Sequence, residues 1–244
     1  MPQTQTQKLR AVELAAYALV LALMLVGLVL AHVDHEFFDR RYVVEDGPIE
    51  WLTVLAFAAG AVICLHRAII LRAARPWKFT ATTVLLGLMF LFVAGEEVSW
   101  GQRLFDYDSG AWFERHNAQS EANLHNIRIG EVKINKLIFS KGVALAGAFY
   151  FCVLAPLYGT RPAFAARVDD WGIPIPKLHH IIAVLVVLLI AQVLTPSPSK
   201  GELAEFGGGV LFALIVAFPS NVGAFKRRAS PGATDSPPPP SSQV

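Results

Sequence analysis

The sequence predicts an all-α, polytopic membrane helix bundle, and three observations predict it. Hydrophobic residues make up 54% of the 244 residues, charged residues only 16%, and the mean hydropathy is +0.47. Apolar stretches of about 20 residues recur, the length that crosses a hydrocarbon core of about 30 Å. Lys and Arg gather in alternate connections, as short cytoplasmic loops require. About six spans follow, at roughly 11–31, 51–71, 79–98, 137–158, 178–195 and 203–222. Such a chain buries its apolar surface against lipid and neighbouring helices, without a large soluble core.

Residues 1–10 are Gln/Thr-rich and read as a loose tail. Lys8 and Arg10 precede the first apolar run. That run is longer than the roughly 7–15 residues of a signal peptide's apolar core, so an uncleaved first span is expected. The loop HVDHEFFDRRYVVEDGPIEW follows, dense in charge and aromatics. Asp46-Gly47-Pro48 is a turn, with Pro48 suited to a first helical turn, Asp46 a candidate cap and Glu50 a first-turn charge for span 2. Span 3 ends in GEEVSWGQRLF. The connection over 101–136 is too polar to span, yet Trp112, Phe113, Leu124, Ile127 and Ile129 make it too apolar for an idle tether. A long, partly ordered outer cap is expected there. Span 4 carries Lys141 near its outer end, span 5 opens on His179 and His180, and span 6 opens on Glu202 and Glu205. Gly207-Gly208-Gly209 in span 6 permits close helix approach or a bend. Residues 11–225 thus form one transmembrane domain, and the Pro/Ser-rich stretch 226–244 reads as a disordered cytoplasmic tail. Cys64 and Cys152 lie inside spans, form no CxxC, and read as small packing residues.

Orientation follows from the bases. Lys8 and Arg10, then Arg72, Arg75 and Lys78, then Arg161, Arg167 and Lys177, then Lys226, Arg227 and Arg228 mark one side. The expected arrangement is N-in and C-in, multi-pass, in a bacterial cytoplasmic (inner) membrane. Fifteen of the 19 carboxylates then fall on the outer side; Glu13, Asp169, Asp170 and Asp235 do not. The net charge of +2 is too small to imply nucleic acid.

Outer loops favour acids passively, but Glu96, Glu97 and Glu205 sit at helix ends, where a carboxylate needs a partner, a proton or a metal ion. If the helix of span 3 continued, Glu96 would share a face with Trp100 and Arg103. The stretch NAQSEANLHN holds five amide or carboxylate side chains and an imidazole within ten positions. On a helix, Asn117, Glu121 and His125 would stack on one face, with Glu121 and His125 able to offer oxygen and nitrogen to one metal ion. The candidate metal ligands are therefore Glu96, Glu97, Glu121, His125 and Glu205, with Glu97, Glu121 and His125 as candidate catalytic groups. Trp100, Gln102, Asn117, Gln119, Asn123, Asn126 and Glu50 are candidate supporting residues. The cofactor this implies is a divalent ion of unspecified identity. A carboxylate-rich site with His suits iron, manganese or zinc, and an all-oxygen site suits calcium or magnesium.

The boxes EEVSWGQR and NAQSEANLHN resemble those of a bacterial family of multi-pass membrane proteins, uncharacterised in function, which carries EE-[IV]-SWGQR followed by N-x-Q-x-E-x-NLHN. The likeness covers residues 95–126 strongly and the six-span layout loosely; it implies an outer-face site and names no chemistry. The alkaline-ceramidase-like hydrolases bind zinc through paired histidines in the membrane. Here His179 and His180 are adjacent and on the opposite side, so that pattern has no match. The expected function is an integral membrane protein with a carboxylate/His site at its outer face, a metal-dependent enzyme acting on a lipid or apolar substrate. The alternatives are a non-enzymatic assembly or sensory partner of another protein and, ranked last, an ion- or proton-coupled transporter. Transport would need acids near the bilayer centre, and spans 1, 2, 4 and 5 show none there.

Overall fold

Long apolar runs that satisfy their own backbone hydrogen bonds dictate the architecture. In the computed structural model, which describes residues 3–124, 126–129, 132, 133 and 141–226, the chain is almost wholly helical. The principal helices are α1 (Gln3–Val33), α2 (Pro48–Leu71), α3 (Trp77–Glu97), α4 (Val143–Thr160), α5 (Pro162–Trp171), α6 (Leu178–Leu194) and α7 (Lys200–Ala217). A two-stranded antiparallel hairpin, β1 (Arg128–Ile129) with β2 (Val132–Lys133), is the sheet among the described residues.

Among the described residues, four helices are long and apolar enough to cross a membrane: α1 from Gln7, α2, α3 and α4. Helix α6 is apolar but shorter, ending in a wide π turn at Leu189–Leu194. Helix α7 carries Lys200, Glu202 and Glu205 in its first two turns, which keeps its 18 residues from reading as a plain apolar span. Residues 137–140 of the expected fourth span and the tail from 227 lie outside the described residues. Leu55, Val62, Ile69, Leu85 and Leu145 are all exposed. A soluble chain rarely shows so continuous an apolar exterior, whereas lipid covers it without cost.

The buried centre lies where α1, α2, α6 and α7 meet: Met24, Ile49, Val187, Ala191, Leu203, Phe206 and Leu211, with Phe38 from the first loop. Glycine sets the helix spacing. A Cβ on Gly60 of α2 would lie 2.8 Å from the Phe90 ring of α3, and one on Gly87 of α3 would lie 2.8 Å from Leu65. The α2–α3 pair therefore packs backbone against side chain. In α7, a Cβ at Gly207 would come within 2.6 Å of Val187, whereas Gly208 faces open space. Gly207→Ala is accordingly expected to lower stability by about 1–3 kcal/mol through overpacking against a stiff β-branched side chain. Gly208→Ala should raise it by up to about 1 kcal/mol through helix propensity. Thermal unfolding in detergent checks the pair; two shifts of the same sign would count against this packing.

Several local expectations change. Asp46 does not cap α2: Gly47 is the N-cap residue, and Asp46 turns to Arg103. Pro48 does open the helix and Glu50 lies in its first turn. Cys64 is buried, but Cys152 is exposed rather than packed. Pro156 in α4 follows a π turn at Tyr150–Leu154, a wide turn that accommodates the missing proline N–H. Helix α5 occupies what reads in the sequence as a basic loop. It ends at Gly172 (φ 65), which donates to Asp169 O while Ile173 donates to Val168 O, a left-handed stop that frees the chain to turn into α6. At this same end Arg67 of α2 donates to Val216 O and, at 2.9 Å, to Ala217 O, covering the open carbonyls of α7.

Candidate functional site

The last turn of α3 is not followed by more helix. Ser99, Trp100 and Gly101 all adopt positive φ (46, 55 and 84), and the chain folds back on itself. The Trp100 ring then lies over Gly95, where a Cβ would come within 2.9 Å of it. Its Nε1–H donates to Glu96 Oε1 at 2.7 Å, so the expected Glu96–Trp100 pairing is present although the continuous helix is not.

Residues 117–124 are irregular, so Asn117 and Glu121 do not stack on a helix; the expected helical face is corrected. The polar side chains instead knit the segment into a latch. The Leu124 backbone N–H donates to Glu96 Oε2 at 2.6 Å. Glu121 Oε2 accepts from Ser99 Oγ at 2.6 Å and from Asn123 Nδ2 at 2.8 Å. Asn117 Nδ2 donates to Asn123 O and Oδ1, both at 2.9 Å, while Gln102 Oε1 accepts the Ala122 N–H at 2.6 Å. Gln119 bridges Glu45 and Asn126. Ser99, Glu96, Asn117, Glu121 and Asn123 are buried, which makes these satisfied bonds a condition of the fold. The abundance of short amides here follows from that latch, since such side chains bond loop backbone well.

Arg103 ties the latch to α2. Its Nη1 donates to Glu121 Oε1 at 2.5 Å and its Nη2 to Glu50 Oε1 at 3.1 Å. Nε lies 2.7 Å from Asp46 Oδ2 as a charge contact rather than an aligned hydrogen bond, and Glu45 is 3.9 Å away. Burial alone would pull the guanidinium down, but the Glu121 hydrogen bond and the charges of Glu121, Glu50 and Asp46 hold it above its ordinary value.

Glu97 points elsewhere. Its carboxylate meets Glu202 and Glu205 from the start of α7, and an oxygen from each lies within 4.8 Å of the others. All three are partly buried. Among the described residues none of the three side chains has an ion-pair or hydrogen-bond partner. Of the sequence-derived ligands, then, Glu97 and Glu205 come together, Glu202 joins them, and Glu96 and Glu121 are engaged in the latch. His125 lies outside the described residues. Glu50 stands between the two groups, bonded to Arg103 and close enough to feel the charges of Glu202 and Glu205. Three oxygens offered by two helices suit a hard cation such as magnesium, calcium or manganese.

A second cluster sits at the far end of the helices, and sequence reasoning missed it. Glu13 of α1 accepts from Lys177 Nζ at 2.9 and 3.1 Å, and its Oε1 also lies 3.0 Å from His179 Nε2 and 3.2 Å from His180 Nε2. Glu13, His179 and His180 could hold a metal ion, since their ligand atoms lie within 4.8 Å of one another. One detail works against it. The Lys177 N–H donates to His180 Nδ1 at 3.1 Å, which leaves the ring proton on Nε2, facing Glu13. A metal-bound imidazole normally donates its other N–H outward. A cation here would have to displace both that proton and the Lys177 ammonium. The signal was legible: a carboxylate just inside span 1 and a His pair opening span 5, both on the basic side.

No family model matches this chain, and neither curated proteins nor solved structures yield a match.

Proposed function

We propose that this chain is a six-span, N-in and C-in protein of the bacterial cytoplasmic membrane, with a divalent-cation site at its outer rim. Glu97, Glu202 and Glu205 bind the ion, and Glu50 and Arg103 set the charge around it. The activity it serves is metal-dependent chemistry on a lipid or other apolar molecule, in which the cation would polarise a phosphoryl or carbonyl oxygen. One observation carries this reading: three partly buried carboxylates within 4.8 Å of one another, none with an ion-pair partner among the described residues. Like charges that close cannot all stay ionised without protons or a cation between them. His125 keeps its place as a proposed further ligand, and the two boxes support grouping the chain with the bacterial family they resemble.

Elemental analysis of the purified protein beside Glu97→Gln tests the proposal. About one divalent ion per chain is expected in the native protein and none in the variant, whose unfolding should stay cooperative with a midpoint no lower than that of the chelator-stripped native protein. A metal-free native protein, or equal metal in both, would overturn it. One observation favours a second reading, a docking partner of another membrane protein. Leu104, Phe105 and Trp112, between the end of α3 and the latch, stand 58%, 78% and 50% exposed. A co-purifying protein lost on Phe105→Ser, with metal content unchanged, would favour that alternative.

A further inference from the structure

At the end opposite the three carboxylates, a cleft of ≈ 680 Å³ runs between α1 and α6, floored by Leu211 of α7. Its size is that of a ligand site, typically about 300–1,000 Å³. Its walls are apolar, formed by Leu14, Leu21 and Met24 of α1 and by Ile182 and Val186 of α6, and its mouth carries Arg10. From Leu14 to Met24 the helix rises through ten steps, about 15 Å. That equals one leaflet's share of a hydrocarbon core about 30 Å thick. The apolar part is therefore as long as one acyl chain's leaflet is deep.

Charge decides which lipid. Glu13, the acid at the mouth, is already engaged by Lys177, His179 and His180. Arg10 is exposed and has no ion-pair or hydrogen-bond partner among the described residues. The mouth is thus net basic, with a guanidinium suited to bidentate phosphate recognition. Tyr17, in the same wall two turns below Arg10, has a buried hydroxyl without a hydrogen-bond partner among the described residues. It is a donor without an acceptor inside the upper part of the cleft, open to a carbonyl oxygen of an entering lipid.

We infer that this cleft holds one acyl chain of an anionic membrane phospholipid, its phosphate bound by Arg10. The site is independent of the cation site and stands or falls separately. The test is native mass spectrometry of the full chain released from nanodiscs of phosphatidylglycerol or of phosphatidylcholine. One phosphatidylglycerol per chain should be retained, in preference to phosphatidylcholine by about fivefold, the contribution of one basic residue near an anionic surface. Arg10→Gln should erase the preference, and Val186→Trp, which fills the cleft, should release either lipid. Should Val186→Trp fail to fold, Arg10→Gln decides alone. Equal retention of the two lipids by the native protein, or a preference that survives Arg10→Gln, would overturn the inference.

Discussion

Arg103→Met is expected to destabilise the protein by about 3–5 kcal/mol, the range for removing one partner from a buried charge pair. The side chain is 23% exposed and faces four carboxylates. They do not contribute equally. Glu45 and Asp46 are about half exposed, at 49% and 45%, so water screens them and their loss costs little. Glu50 and Glu121, at 9% and 11%, would be left charged and buried. The cost therefore comes from those two. Arg103→Lys restores the charge without the fork that reaches Glu121 and Glu50 at once, so it should recover only part of the loss. Adding Glu121→Gln to Arg103→Met should also recover stability, because it removes a stranded carboxylate. Thermal unfolding in detergent measures all three. A midpoint unmoved by Arg103→Met would mean that the latch and α2 are not held through this residue.

The second large effect belongs to Glu13. Glu13→Leu is expected to cost about 3 kcal/mol, again as the breaking of a buried charge pair. His180 is 0% exposed, so its Nε2–H would lose an acceptor that no water can replace. Lys177 is 30% exposed and can turn its ammonium outward, which limits its share. Glu13→Gln keeps an oxygen for His180 and gives up only the charge, so it should lose about half as much. Equal losses for the two substitutions would show that charge, not the hydrogen bond to His180, dominates this cluster.

Much of the helical layout was readable because apolar length is a local property, written continuously along α1, α2 and α3. The weaker cases are those where composition is mixed. Helix α7 begins with three charges, and α5 is a short amphipathic helix whose buried Val168 is the main sign of packing. At the end of α3, residue type singled out Glu97 and Glu205, and the fold brings the two together. The division of labour was not readable. Whether a carboxylate is engaged by Ser99, Asn123 and Arg103 or faces two other glutamates depends on where the chain turns after Val98. That turn rests on left-handed Ser99 and Trp100, conformations that neither residue type advertises. The conditional helical face over Asn117, Glu121 and His125 suggests itself because these positions recur every four residues, a spacing that an irregular latch can carry as well. The Glu13 cluster was overlooked because its members come from distant helices and none of them is remarkable alone.

The three-glutamate group draws on α3 and on α7, so it cannot exist until α7 has been made. Domains grow from the N-terminus during synthesis. Glu97 is therefore made while Glu202 and Glu205 are still untranslated, and a nascent chain stalled before Lys200 has only part of the group in place. Arrival of α7 is the event that brings the three carboxylates together. Capture of the proposed cation would then report that α7 has reached α3, and a chain that failed to insert α7 would be distinguishable by that property.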